Sequence, residues 1–252
     1  MSPYILDASA WQESWDRQQE AYLPDREERF AALLEVVDAV TDGRPPRVLD
    51  LAGGTGSISL RVLRRFPDAT TTLLDVDPVL LHIAGATLDD RATVVTANLR
   101  TPQWLAALPH REFDAVLTAT ALHWLPADRL TDLYGEIRSA LRPGGVFVNA
   151  DHMPDDGLPG LSARLGDRSD ARRRARYAAG AVLSWEDWWE HVGGDPVLGP
   201  LLPERKKVFA ERHATEFAPP VSWHLDTLRA AGYAEAGLVW RGARDAAVAG
   251  VA

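Results

Sequence analysis

Five short apolar runs punctuate the middle of the chain: Val48–Leu51, Thr71–Asp75, Thr93–Thr96, Ala115–Thr118 and Val146–Asn149. Helical patterns separate them at Gly56–Arg65, Pro78–Thr87, Gln103–Ala107 and Asp128–Leu141, the last closed by Arg142-Pro143-Gly144-Gly145. Strands that alternate with helices predict a parallel sheet, here in a doubly wound βαβαβαβαβ order. Upstream, Trp11, Trp15, Tyr22, Phe30, Leu33, Leu34, Val37 and Val40 recur among charged residues, which predicts two helices interrupted at Pro24. Downstream of Asp151, the Pro/Gly/Asp-rich stretch Pro154–Gly160 opens a helical insertion that reaches about Phe217 and carries Trp185, Trp188 and Trp189. After Pro219-Pro220 the spacing predicts a helix over Ser222–Ala231, a stop at Gly232, a strand at Ala236–Trp240 and a second strand in the apolar tail Ala246–Val251.

Composition narrows the picture without altering it. A chain of 252 residues, 46% hydrophobic and 25% charged, suits one globular domain with a modest insertion. The net charge of -9 sets the surface against phosphate backbones, so nucleic acid is not an expected partner. The short basic run Arg172–Arg174 with Arg176 follows Asp167 and Asp170 and reads as a solvated helix face. There is no cysteine, hence no disulfide, thiolate metal site or cysteine nucleophile. No signal-peptide pattern and no apolar run of about 18 residues is visible, so a cytoplasmic protein with no membrane span is expected.

The densest signal is Val48-Leu49-Asp50-Leu51-Ala52-Gly53-Gly54-Thr55-Gly56, a strand running into a glycine-rich turn and a helix. Such a turn lets backbone approach a ligand at the carboxyl edge of an open sheet. Gly54-Thr55-Gly56-Ser57-Ile58-Ser59 also approximates a dinucleotide fingerprint, with Ser59 where glycine or alanine is expected. The two readings differ chemically. A dinucleotide puts its pyrophosphate on the helix N-terminus, whereas an adenosyl-sulfonium cofactor needs an acceptor for its ammonium, and Asp50 supplies an anion at that place.

The stretch resembles motif I of the class I S-adenosylmethionine-dependent methyltransferases, acid-x-Gly-x-Gly-x-Gly, with Ala52 at the first glycine position, which a methyl group tolerates at negative φ. Three further segments resemble the same family in order: Leu73-Leu74-Asp75-Val76-Asp77-Pro78, Val94-Val95-Thr96-Ala97-Asn98-Leu99, and Phe113–Trp124 followed by Leu141–Gly145. The resemblance implies a Rossmann-like α/β fold, doubly wound around a mostly parallel seven-stranded sheet, with N-terminal helices and a helical insertion after the fifth strand. It implies S-adenosylmethionine as cofactor and S-adenosylhomocysteine as product. The cofactor set it implies is Asp50, Ala52, Gly53, Gly54, Gly56, Asp75 on the ribose, Val76, Asn98 on the adenine, Leu99 and Thr118. One domain over 1–252 is expected: helical lid 1–43, cofactor-binding core 44–152, helical insertion and substrate lid 153–218, closing helix and strand pair 219–252.

Methyl transfer is an in-line displacement, so alignment matters more than a covalent nucleophile. A hydroxyl or ammonium acceptor needs a base, and His152 and His123 both follow strands at the predicted carboxyl edge. Trp15, Tyr22, Trp124, Met153 and Trp188 are the candidate acceptor contacts. No His/Asp/Glu set stands at a metal-ligand spacing, so no metal is expected. The reading is transfer of a methyl group to an O, N or C nucleophile of a small molecule such as a natural-product intermediate. A nicotinamide-dependent oxidoreductase and a non-methylating S-adenosylmethionine-binding protein are the alternatives.

Overall fold

A computed structural model describes residues 5–23, 25–180, 182–210 and 216–252 of the protein. Two helices lead, α1 (Ala8–Tyr22) and α2 (Arg26–Thr41); Pro24, where the sequence predicts the break, lies outside the described residues. The core runs β1 (Arg47–Leu51), α3 (Ser57–Arg65), β2 (Thr70–Asp75), α4 (Pro78–Thr87), β3 (Ala92–Thr96), α5 (Trp104–Ala107), β4 (Phe113–Ala119), α6 (Ala127–Ala140) and β5 (Leu141–His152). Then come α7 (Pro159–Ala178), α8 (Trp185–Gly194), α9 (Leu202–Val208), α10 (Val221–Ala230), β6 (Glu235–Arg241) and β7 (Asp245–Val251). The predicted loop Arg142–Gly145 lies inside β5, whose pairing with β4 shifts register between Phe113 and Ala115. Among the described residues no helix is long and apolar enough to cross a membrane.

The seven strands lie in the order β3-β2-β1-β4-β5-β7-β6, with β1 to β5 parallel and β7 antiparallel to both neighbours. Helices cover both faces, so the central strands bury both sets of side chains. Val48, Ala115 and Val146 point to a layer with Phe30, Leu33 and Val62, while Leu49, Val116 and Phe147 point to one with Leu133, Ile137 and Leu228. This explains why the central strands read as continuous apolar runs instead of alternating ones. A third cluster joins Trp11 and Trp15 of α1, Val79 and Ile83 of α4, and Trp188 and Val192 of α8, and ties the insertion to the sheet.

Strand order reverses between β1 and β4, since the chain moves outward from β1 to β3 and then returns to start β4 on the other side of β1. The loops leaving those two strands diverge and open a crevice at their carboxyl ends.

Candidate functional site

A cleft of about 500 Å³ opens there, walled by the ends of β1, β2, β4 and β5 and closed over by α1, α8 and α9. Its floor is the turn after β1. Asp50 is fully buried; its Oδ2 accepts hydrogen bonds from the Ser59 amide at 2.9 Å and the Ser59 hydroxyl at 2.7 Å, anchoring α3 on the strand. Its Oδ1 has no hydrogen-bond partner. Burial pushes the Asp50 carboxyl up to about 6, against the opposing pull of the two Ser59 bonds. The backbone crosses this carboxylate at Gly53, where a Cβ would lie 2.7 Å from the Asp50 Cγ, so only glycine fits. Gly54 follows with φ +55°.

Asp75 ends β2 and holds the turn from the side: its Oδ2 accepts from the Gly54 amide at 2.8 Å and its Oδ1 from Val76 and Asp77 at 2.6 and 2.9 Å. Burial raises its carboxyl, and the Asp77 and Gly54 amides oppose the rise only in part. Asp77 caps α4 by accepting from Val79 at 3.0 Å, and its second oxygen accepts from Arg205 Nε of α9 at 2.7 Å. Asn98 and Leu99 line the cleft beyond β3, and the Asn98 Oδ1 accepts from the Arg100 amide at 2.9 Å.

Across the cleft stand two histidines, each held by a carboxylate. His123, in the turn after β4, donates from Nδ1 to Asp151 Oδ1 at 2.7 Å, and its amide donates to Asp151 Oδ2 at 3.2 Å. His152, at the end of β5, donates from Nδ1 to Asp245 Oδ1 at 2.6 Å. Asp245 is the first residue of β7 and sits directly opposite His152 in the antiparallel pairing. The fully buried Arg29 of α2 lies 2.8 Å from the other Asp245 oxygen, with its guanidinium 5.2 Å from the centre of the Trp240 ring. The imidazole rings are 5.1 Å apart. Burial alone would lower the pKa of His152, but the Asp245 hydrogen bond and the charges of Asp151 and Asp245 outweigh it and leave the ring above its usual value. Asp151 is also buried, which would raise it; its bond to His123 and the two histidine charges bring it instead down to about 2. With Nδ1 committed in both rings, Nε2 is the nitrogen left to deal with a ligand.

Most sequence-predicted residues meet in this cleft: Asp50, Ala52, Gly53, Gly54, Asp75, Val76, Asn98, Leu99, Trp15, Tyr22, Trp124, His123 and His152 all line it. Four others do not. Gly56 heads α3 at φ +86°, where a Cβ would meet Leu73 and Leu88 at 3.1 Å, so it serves helix-on-strand packing. Thr118 is fully buried because β4 runs one residue further than its apolar run suggests, and the cleft wall begins at Ala119 and Thr120. Met153 follows the last β5 residue into the core below α10. Trp188 is wholly buried between Trp11 and Trp15, at ring distances of 5.6 and 5.0 Å, with its indole N–H on Ser14; it backs the wall that Trp15 and Trp185 form. Ala52 is corrected in another way, since its φ of +55° lies in the left-handed region, at a strain cost of about 1–2 kcal/mol. The expectation of no metal-ligand grouping also changes: the fold brings His123 to the adjacent pair Asp151 and His152, and the three offer atoms within 4.8 Å of one another.

Trp188→Ala is therefore expected to act on stability, at about 3–5 kcal/mol for a buried tryptophan, and to appear as a large fall in Tm. A ligand titration in the surviving folded fraction should leave cofactor affinity within about twofold.

Residues that the sequence did not single out include Arg26, Phe30, Arg205, Phe209, Asp151 and Asp245. Arg26 and Phe30 line the cleft from α2, Arg205 from α9 and Phe209 from just past its end, none in a motif; the last two lie beneath its histidines. Only Asp245, a charge heading an apolar tail, carried a visible signal.

This geometry agrees with what the chain is similar to. A family model described as "Methyltransferase domain" matches residues 48–145, from β1 to the start of β5. The release factor glutamine methyltransferase of Gloeobacter violaceus is 29% identical over 219 residues, covering 85% of this chain and 70% of that protein. The trans-aconitate 2-methyltransferase of Methylobacterium radiotolerans is 28% identical over 235 residues, covering 76% of this chain and 85% of that protein. Human N-acetylserotonin methyltransferase, solved with S-adenosylmethionine, shares the fold at a TM-score of 0.54 and 14% identity, covering 100% of this chain and 60% of that one. The chain spans about half the length of several other solved structures that it matches.

The matched methyltransferase domain and these relatives together support a class I S-adenosylmethionine-dependent methyltransferase. The methyltransferase-domain match and the relatives named as methyltransferases support S-adenosylmethionine, in place of a nicotinamide, as the cofactor. The residues present fit that group: a buried aspartate oxygen without a partner, a glycine over which no Cβ could pass, and a half-buried acid ending β2.

Proposed function

We propose that the enzyme methylates a hydroxyl oxygen of a small planar acceptor, with His152 as the base and His123 beside it. The observation that carries this is the His152–Asp245–Arg29 chain next to the His123–Asp151 pair. Two imidazoles with fixed tautomers face one cleft, which is the equipment for moving a proton from an acceptor. S-adenosylmethionine, when bound, supplies an electrophilic methyl group on a sulfonium. Asp50 faces its ammonium, Gly53 and Gly54 give its backbone-close seat, Asp75 and Val76 take the ribose, and Asn98 and Leu99 border the adenine.

The rest of the site aligns the acceptor and excludes water. Trp15, Tyr22, Trp124 and Trp185 offer flat apolar surface to a planar molecule, so residues 1–43 and 153–218 act as lids on the core 44–152. Alignment of two reactants supplies about 7–11 kcal/mol in well-oriented systems, enough to leave the base a supporting role. His152 is more open to the cleft than His123, whose ring and amide are both tied to Asp151; this favours His152 Nε2 as the proton acceptor.

One relative is named for trans-aconitate, and Arg205 lines the cleft, so a carboxylate acceptor is the second reading. A carboxylate is already ionised and needs no base. A screen with methyl-labelled cofactor over phenols, aliphatic hydroxy compounds and polycarboxylates separates the two. Labelled methyl ethers from the hydroxyl compounds are expected, with no label on the acids; methyl esters alone would overturn the proposal.

A further inference from the structure

The charges that line the cleft are not spread evenly. Its arginines stand on the cofactor side. Arg26, near the β1 turn, donates to Asp16 at 2.7 Å, and Arg100 follows Asn98 beyond β3. Arg205 donates to Asp77, after β2, at 2.7 Å and lies 3.5 Å from the centre of the Trp189 ring. Two further acids, Glu186 and Glu216, also line the cleft, and neither carboxylate makes an ion pair or a hydrogen bond among the described residues.

Glu216 is the better placed of the two. The amide of the next residue, Phe217, donates to the His123 carbonyl at 2.8 Å, and the Phe217 ring packs edge-on against Trp223 at 5.2 Å, so the segment is pinned beside the histidine pair. The charge of Glu216 also reaches Tyr22: burial raises that phenol's pKa, Arg173 opposes the rise and Glu216 adds to it. Glu216 lies in no helix or strand and caps neither. Glu186 stands in the first turn of α8, where a carboxylate suits the helix N-terminus in any case, so it counts here only as a second anion. Around them are the rings of Tyr22, Trp124, Trp15 and Trp185, the last two 5.8 Å apart. An ammonium is attracted both to a carboxylate and to aromatic faces, whereas a carboxylate brought here meets two like charges.

We propose that the acceptor carries an ammonium group besides the hydroxyl to be methylated, and that Glu216 binds it, with aromatic rings around it and Glu186 as a second anion. The proposal rests on the reading of His152 as the base for a hydroxyl, and it names the acceptor class of that site: a basic amine attached to a planar hydroxylated ring. Glu216 then determines specificity at a distance from the reacting atoms. Neutralising it changes which acceptor is chosen, while proton removal stays with His152.

The test uses phenols that differ only in the para substituent, 4-(2-aminoethyl)phenol, 4-ethylphenol and 3-(4-hydroxyphenyl)propanoate, assayed with methyl-labelled S-adenosylmethionine. The wild type is expected to favour the amine over the neutral phenol by about tenfold in kcat/KM, carried by KM, as a charge-assisted contact allows, with the acid poorest. Glu216→Gln should bring the amine to within about threefold of the neutral phenol and leave the neutral phenol within about twofold of its wild-type value. Glu216→Lys should turn the order towards the acid. Isothermal titration of S-adenosylhomocysteine should give both variants an affinity within about twofold of the wild type, which reports an intact fold and cofactor side. A wild type that prefers the neutral phenol or the acid, label on the amine nitrogen, or an amine preference that survives both substitutions overturns the proposal and leaves the hydroxyl reading standing. An equal fall for all the phenols marks Glu216 as merely structural and overturns it as well. Methylation of none of them overturns the hydroxyl reading itself, a different result from loss of discrimination.

Discussion

His152→Ala lowers kcat by about 10²- to 10⁴-fold while the dissociation constant of S-adenosylhomocysteine stays within about twofold. The first figure is the usual contribution of a positioned base, and the second follows because His152 stands across the cleft from the β1 turn. The pH profile sharpens the expectation. His152 must be neutral to accept a proton, and its pKa is held above the usual histidine value: burial works against this, but the Asp245 bond and the charges of Asp151 and Asp245 prevail. The acid limb of kcat/KM therefore lies above about 6.5, the ordinary histidine value. Asp245→Asn removes the largest raising influence, so the limb moves to lower pH, and kcat falls because an amide, which donates as well as accepts, no longer fixes the ring's tautomer. A profile unmoved by Asp245→Asn, with full activity in His152→Ala, would remove His152 as the base.

Asp50→Asn is expected to weaken S-adenosylhomocysteine binding by about 10–100-fold, since an amide can still accept from Ser59 but offers no charge to an ammonium. Its pH signature is distinctive. The Asp50 carboxyl sits at about 6, so a neutral acid is present below that pH and a carboxylate above it. Wild-type affinity should rise as pH goes from 5 to 7, and the variant's should be flat over that interval. Linkage gives the stability side of the same shift: with its folded pKa above the unfolded value of about 3.9, the native state binds the extra proton, so stability is lost as pH rises from about 4 to 6. The loss is about 2–3 kcal/mol, and Tm of Asp50→Asn should depend less on pH across that window. Equal pH dependence of ligand affinity in both proteins would sink the assignment of Asp50 to the ammonium.

The two predictions lie on opposite walls of the cleft, and the sequence was unequally informative about them. The Asp50 wall is local: strand, turn and helix are consecutive, and each glycine answers to a nearby atom, as Gly53 does to the Asp50 carboxyl. Such a segment is readable because its geometry and its chemistry are set within about ten residues. Asp75 and Asn98 follow for the same reason, each being at the end of a strand that its own apolar run announces. The limits of that approach show at Thr118, where the wall starts one residue past the apparent strand end, and at Ala52, whose positive φ no propensity indicates.

The chain by itself determined the layered architecture, because apolar runs of strand length alternating with helical periods leave few arrangements that bury both faces of a sheet. It also determined the glycine-rich turn proposed as the cofactor seat, whose parts are neighbours along the backbone. Only the tertiary structure decided which charged groups meet at the cleft from distant parts of the chain. Asp245 reaches His152 by antiparallel pairing across 93 residues, and Arg26 reaches the β1 turn by the packing of α2 against the sheet. Contacts of that kind depend on register and helix placement, which are set by the summed burial of many side chains and leave no mark at the residues that meet.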